Sequence, residues 1–391
     1  MDITITPQHL SGTVAAIPSK SQAHRLLICA AFADCPTTLY CPDTNRDIEA
    51  TADCLRALGA TIRRTATGYF VAPCENLPAE AVLDCCESGS TLRFMLPIAG
   101  ALGVKATFLM AGRLPQRPLS PLWEEMDRMG CDLCRPTEKT ILCQGKLRPG
   151  HYQIDGGVSS QFITGLMLAL SLLDKESALE ITGTVESKPY IEMTRQAMAL
   201  FGVNPEYLGT QRFHSPGELT VEGDWSNAAF FLAAKALGSE IEVTNLSDTS
   251  AQGDRAVAQL LPLMETGCPT VSAANIPDLV PILAVVAGAR QGAVFTDIRR
   301  LRLKETDRVA TVSAMLSALG ARVETTENTL KVFPADYHGC TIDAANDHRI
   351  AMAAAIAATI ASGPVTILGA EAVNKSYPKF WEEYSRLGGV L

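Results

Sequence analysis

Three observations in the sequence predict a two-domain α/β protein built from six copies of one unit. The chain has 391 residues, 47% hydrophobic and 19% charged, an ordinary globular composition with room for two cores. Six amphipathic segments (residues 50–59, 121–130, 192–202, 257–267, 308–320 and 378–388) each end in glycine, and those glycines lie 71, 72, 65, 53 and 68 residues apart. Between them recur segments that are apolar nearly all round and open on polar residues. From Ser21 through Ser90, Ser160, Ser226 and Asp278 to His348, their openings are 69, 70, 66, 52 and 70 residues apart. The two series advance together, as a tandem repeat of one α/β unit requires.

In chain order, residues 2–6 are strand-like and could belong to either half. Ile17-Pro18-Ser19-Lys20-Ser21-Gln22-Ala23-His24-Arg25 then leads into an apolar run, a helix that Ser19 or Ser21 can cap. Each glycine-ended helix turns into a short β-like stretch, such as Ala60-Thr61-Ile62 or Ala321-Arg322-Val323, and glycine there suits a left-handed C-cap. The all-apolar helices must be buried, so only their ends reach solvent. Their openings read either as caps alone or as anion sites; Lys20, Arg25, Arg93, Gln161, His348 and Arg349 exceed what capping requires. Leu301 and Leu303 alternate within residues 299–303, suggesting a strand before a helix capped by Thr306 or Asp307. The apolar run 350–368 is broken by Gly363-Pro364, which leaves about twelve helical residues, too few to span a bilayer.

Six units divide most simply as three and three. The expected domains are residues 1–13 with 222–391, and residues 14–221, joined by hinges near Gly12-Thr13 and Glu222-Gly223. Two such hinges would let the halves close on a ligand.

A net charge of −9 argues against a nucleic-acid surface, and makes local basic clusters stand out. Twelve cysteines are scattered without framework spacing; Cys131-x-x-Cys134 is the lone CxxC, with no second pair or histidines nearby, so no metal is expected. Cysteine usage of this kind, and a start without a charged n-region, point to a soluble cytoplasmic protein. No phosphate-loop, dinucleotide, zinc-protease or nucleophile-elbow motif is present. The chemistry expected is acid–base and electrostatic, without a cofactor.

The densest chemical stretch is Arg299-Arg300-Leu301-Arg302-Leu303-Lys304-Glu305-Thr306-Asp307-Arg308. A solvated basic edge is one reading. Acid and base interleaved before a helix start (Lys304, Glu305, Arg308) can also bind an anion and move a proton. Arg117, Arg349 and Lys375 sit in comparable loops and helix starts. An acidic chain that gathers such cations suits a small, multiply anionic substrate.

Eight stretches, in order, then resemble the motifs of the 5-enolpyruvylshikimate-3-phosphate synthase family across residues 12–388. They are Pro18-Ser19-Lys20-Ser21-x-x-x-Arg25, Glu87-Ser88-Gly89-Ser90-Thr91-x-Arg93, Gln116-Arg117-Pro118, Val158-Ser159-Ser160-Gln161, Ser187-Lys188-Pro189-Tyr190, Ile276-Pro277-Asp278, Lys304-Glu305-Thr306-Asp307-Arg308 and Asp347-His348-Arg349. The resemblance implies an enolpyruvyl transferase-like fold, an inside-out α/β barrel of two halves with three βαβαββ units each. It implies transfer of enolpyruvyl from phosphoenolpyruvate to the 5-hydroxyl of shikimate 3-phosphate by a monomer. By position, Lys20, Ser21, Arg25, Ser159, Ser160, Gln161, Ser187, Tyr190, Asp278 and Lys304 would hold shikimate 3-phosphate. Lys20, Gly89, Arg117, Gln161, Glu305, Arg308, His348, Arg349 and Lys375 would hold phosphoenolpyruvate. Asp278 is expected as the base for the 5-hydroxyl; Glu305, with Lys20, is expected to protonate and deprotonate the methylene carbon.

Two positions depart from the family pattern. Residues 87–94 read Glu-Ser-Gly-Ser-Thr-Leu-Arg-Phe where many members have Asn-Ala-Gly-Thr-Ala-x-Arg-Pro, and Arg300 stands where some have Asn. Among rivals, the sister transferase acting on UDP-N-acetylglucosamine carries a cysteine in the loop matching residues 111–118, where this chain has none. An RNA-terminal phosphate cyclase would need an ATP motif. A merely anion-binding protein would need the cations, but not both Asp278 and Glu305.

Overall fold

The computed structural model describes residues 1–391. They form two compact units: Met1–Ile17 with Glu222–Leu391, and the continuous insertion Pro18–Val221.

Within Pro18–Val221 the middle copy shows the whole repeat. Strand Glu80–Asp84, helix Gly89–Leu102, strand Lys105–Leu109, helix Leu122–Arg128 and the hairpin Cys131–Thr137/Thr140–Gly145 follow in order. The first two strands pair in parallel, and the hairpin adds antiparallel. This is βαβαββ. The first copy has helix Lys20–Ala31, strand Thr37–Tyr40, helix Arg46–Ala57 and hairpin Thr61–Arg64/Gly68–Ala72; Glu218–Thr220 fills its first-strand place, parallel to Thr37–Tyr40. The third copy has strands His151–Asp155 and Ala178–Thr182 with helices Ser160–Leu170 and Lys188–Leu200, and its two strands stay a separate pair.

In the other unit the complete copy is Thr270–Ser272, Val280–Ala289, Ala293–Thr296, Arg308–Ala318 and hairpin Val323–Thr325/Thr329–Val332. The N-terminal residues complete the other two copies. Ser11–Ala15 lies parallel to Glu240–Thr244 as a first strand. Ile3–Ile5 lies antiparallel to Val365–Leu368, with Thr6 bridged to Val390, where a hairpin would be. Residues 2–6 therefore belong to this unit. Gly12 and Thr13, expected at a hinge, sit inside strand Ser11–Ala15, and the units part at Ile17/Pro18 and Val221/Glu222.

The repeat extends to its turns. Asp84, Asp155 and Asp343 close first strands and accept the N–H two residues on at 2.8, 2.7 and 2.7 Å; Ser272 does the same at 3.3 Å. Gly183, Asn245, Asp297 and Gly369 each follow a second strand with φ of 69°, 62°, 59° and 69°.

Five of the six interior helices open as the sequence suggests. Ser19, Ser88, Ser159, Asp224 and Asp347 cap them through their side chains. The helix Val280–Ala289 has no side-chain cap, and Asp278 just before it is engaged elsewhere. Helices Gly89–Leu102 and Ser160–Leu170 meet backbone to backbone: a Cβ on Gly165 would stand 2.2 Å from the Arg93 carbonyl oxygen. Pro97, one turn on, has no N–H for that carbonyl.

Two expectations change. Residues 299–303 form a 3₁₀ turn rather than a strand, because Asp297 turns the chain at φ 59° directly after Thr296; Leu301 is buried and Leu303 is 46% exposed. Gly267 is extended, φ −174°, rather than left-handed; the Thr266 hydroxyl lies 3.4 Å from the carbonyls of Pro262 and Leu263 and meets the helix end instead. Cys131 is buried and Cys134 exposed, since odd spacing puts them on opposite faces of one strand, so they cannot ligate together. No helix is long and apolar enough to cross a membrane.

Candidate active site

Arg308 begins a helix capped by Asp307, and its side chain is 1% exposed. A buried guanidinium needs acceptors, and three carboxylates supply them. Nη1 donates to Asp278 Oδ1 at 2.6 Å, Nη2 to Glu305 Oε2 at 2.7 Å, and Nε to Asp347 Oδ2 at 2.8 Å. Lys304 Nζ and Arg349 Nη2 each approach Asp278 at 3.4 Å. His348, wholly interior, has Nδ1 3.9 Å from Asp347 Oδ1, and Lys375 Nζ donates to the Asn346 carbonyl at 2.7 Å. Six of the seven expected residues of this unit thus lie at three helix openings, with Lys304, Arg308 and Arg349 around Asp278, and Lys375 reaches them from the 3₁₀ segment Ala370–Lys375.

Burial opposes the charge on Asp278, but Arg349, Lys304 and Arg308 outweigh it and hold the carboxyl well below the usual range. Burial lowers the Lys304 ammonium against the pull of Asp278. Burial also works against Arg308, yet Asp347, Glu305 and Asp278 keep it firmly charged. Beside this group, burial and the negative field of Asp278, opposed by Arg349, push buried Asp254 up to about 7. The two carboxyls are thus pushed in opposite directions within one charged cluster.

The Pro18–Val221 unit gathers its expected residues at helix mouths. Lys20 Nζ pairs with Asp47 Oδ2 at 2.8 Å. Gly89 lies against two guanidinium groups: a Cβ there would stand 2.4 Å from Arg117 Nη1 and 2.8 Å from Arg93 Nη1. A larger residue there would have to push those guanidinium ends aside. Gln161 Nε2 donates to Ser90 Oγ at 2.9 Å, while Ser159 caps and Ser160 begins their helix. Ser187 holds a left-handed φ of 56° at the start of the helix that carries Tyr190. Arg25, 2% exposed, donates to Thr194 Oγ1, the Ser21 and Tyr190 carbonyls and Thr164 Oγ1, which leaves one N–H for any ligand. It ties three helices together as well as charging the mouth.

Four residues at these sites escaped the expected set. Asp347, quoted in its motif, is both the cap of the helix His348–Ala358 and a partner of Arg308. Arg93 was visible in its motif too. Asp47 and Asp254 left no mark, because neither spacing nor composition shows that a lone aspartate will be buried beside a cation or another carboxylate.

The fold is that of the enolpyruvyl transferases. EPSP synthase from Acinetobacter baumannii superposes with TM-score 0.80 at 21% identity, covering 99% of this chain and 98% of that one. The enolpyruvyl transferase NikO from Streptomyces tendae superposes at 0.73 with 19% identity, covering 99% and 97%. The sequence narrows this: the family model of EPSP synthase (3-phosphoshikimate 1-carboxyvinyltransferase) matches residues 5–274 and 265–384. Proteins named 3-phosphoshikimate 1-carboxyvinyltransferase from Clostridium kluyveri and Clostridium novyi are each 36% identical over 100% of this chain and 98% of theirs. The chain belongs to the EPSP synthase family.

Proposed function

We propose that Asp278, Glu305 and Lys20 carry the proton transfers of the family's reaction and that the surrounding cations hold its two anionic substrates. The reaction is enolpyruvyl transfer from phosphoenolpyruvate to the 5-hydroxyl of shikimate 3-phosphate, with release of phosphate. Asp278 takes the 5-hydroxyl proton as oxygen attacks the enol carbon. Glu305, with Lys20, protonates the methylene carbon to make that centre oxocarbenium-like, then removes a proton as phosphate leaves the tetrahedral intermediate. Lys20, Gly89, Arg117, Gln161, Glu305, Arg308, His348, Arg349 and Lys375 receive phosphoenolpyruvate. Ser21, Arg25, Ser159, Ser160, Gln161, Ser187, Tyr190, Asp278, Lys304 and Lys20 receive shikimate 3-phosphate. In this reading Lys20 acts only once the two units close on the ligands, turning about the chain crossings at Ile17/Pro18 and Val221/Glu222. The enzyme works as a cytoplasmic monomer.

The observation that carries the reading is Arg308, which grips Asp278 and Glu305 through two nitrogens of one guanidinium. Binding alone needs the cation, whereas proton transfer needs both carboxylates. An anionic ligand drawing Arg308, Arg349 and Lys304 toward itself loosens their hold on Asp278 and raises its basicity. The test is phosphate release from phosphoenolpyruvate with shikimate 3-phosphate, run beside UDP-N-acetylglucosamine. Release with the former alone is expected; none from well-folded protein sinks the reading.

A further inference from the structure

His24 lies one turn beyond Lys20 on the helix Lys20–Ala31 and is fully buried. Its Nδ1 is 2.7 Å from Thr51 Oγ1; Thr51 Oγ1 is 2.7 Å from Thr91 Oγ1; Thr91 Oγ1 donates to Ser88 Oγ at 2.8 Å. All four residues have no solvent exposure. They join three helices, Lys20–Ala31, Arg46–Ala57 and Gly89–Leu102. The chain ends on the cap of the helix whose Gly89 faces Arg117 and Arg93.

Proton counting gives the chain one direction. Thr91 spends its single hydroxyl proton on Ser88 Oγ, or on the Asp47 carbonyl 3.4 Å away. Thr51 must then donate to Thr91, and Nδ1–H of His24 must donate to Thr51. Burial, then the charges of Lys20 and Arg25, push the His24 imidazole well below its ordinary value, so a neutral ring holds that tautomer. Its Nε2 is buried without a partner, beside the edge-on ring of Phe94. An apolar side chain would avoid that orphan, so the imidazole is kept for what Nδ1 does. The same helix face closes a second link, since Lys20 pairs with Asp47, whose carbonyl lies by Thr91.

We infer that His24 is a positioning residue for phosphoenolpyruvate: it starts a one-way chain of hydroxyls that presets the Ser88 cap and the Gly89 mouth relative to Lys20. The inference rests on the proposed assignment of Gly89 and Arg117 to phosphoenolpyruvate. With Ser88 Oγ accepting from the Thr91 amide and in reach of the Thr91 hydroxyl, the cap that precedes Gly89 is held by the same residue that ends the chain.

The test varies each substrate in steady-state kinetics of the full chain. Thr51→Val breaks the chain at almost constant volume, and His24→Leu removes its start. Both should raise KM for phosphoenolpyruvate about tenfold, the size of one hydrogen bond to a charged ligand, with KM for shikimate 3-phosphate within about twofold. His24→Asn returns an N–H near the Nδ1 position, and Thr51→Ser keeps the hydroxyl; both should stay within about threefold of the parent. Equal rises in both KM values, unchanged values for Thr51→Val, or His24→Asn behaving as His24→Leu overturns the inference. Arg117→Ala separates the two levels. If it raises KM for phosphoenolpyruvate while Thr51→Val does not, the relay alone fails; if it does not, the assignment of the mouth fails with it.

Discussion

Asp347 shows how one side chain can serve fold and chemistry together. It caps a core helix and faces a guanidinium that is 1% exposed. Asp347→Ala would leave Arg308 short of a buried partner, at a cost of about 3–5 kcal/mol, plus about 1 kcal/mol for the cap. Asp347→Asn, which keeps an acceptor, should lose less; thermal melts of the two variants give the comparison. Asp278→Ala removes the proposed base but keeps the cations, so turnover should fall by about 10²–10⁴ with anion binding retained, read from kcat and substrate titrations. The two carboxyls also set opposite pH trends. The folded value of Asp278 is depressed below 3.8, so its stabilisation is present above that pH and lost as pH falls through the folded value. Asp254 is raised to about 7, so its contribution is present below 3.8 and lost as pH rises toward 7. Asp254→Asn should therefore stabilise the protein at pH 8, by at most on the order of 4 kcal/mol, and hardly at pH 4; melts at both pH values decide it. The cations and the motif carboxylates could be read from the sequence, because they are clustered in it. Asp254 could not, because its raised value comes first from burial and then from the field of Asp278, and its local sequence shows neither.

At the scale of elements, periodicity and caps carried most of the information. Ser19, Ser88, Ser159, Asp224 and Asp347 were visible because a capping side chain acts within three residues of itself. The strand expected at residues 299–303 was not there, because two leucines in alternation do not reveal that Asp297 has already turned the chain. Helix contacts were equally hidden. Gly165 looks like a weak point in its helix, and Gly→Ala ordinarily gains about 1 kcal/mol there. Here the added methyl meets the Arg93 carbonyl at 2.2 Å, so Gly165→Ala should instead destabilise by about 1–3 kcal/mol, measured by denaturant unfolding. The displaced helix carries Gly89, so KM for phosphoenolpyruvate should rise as well.

At the scale of the molecule, the sixfold repeat was legible and its closure was not. Glu218–Thr220 fills a place in the first copy, and residues 3–15 fill places in the fourth and sixth, because each unit completes its sheets with strands from the far end of its own sequence. No local pattern signals such exchanges. Removing residues 1–10 should therefore do more than trim a tail. It takes buried Ile5 and Leu10 from the core and bares the edge of Val365–Leu368, a loss of about 3–6 kcal/mol that thermal melts and amide exchange at that strand would register. The same strand sets the order of events during synthesis. Ile3 leaves the ribosome well before its partner Ile367, with both helices and strands of every other copy made in between. The inserted unit Pro18–Val221 holds all of its own strands and can fold as soon as it emerges. In the other unit Ser11–Ala15 can pair once Glu240–Thr244 has emerged, but Ile3–Ile5 must wait until the final copy is made and then close a loop of more than three hundred residues. A nascent chain halted once residue 221 has emerged should thus protect the interior of Pro18–Val221 from protease while residues 1–17 stay open to cleavage.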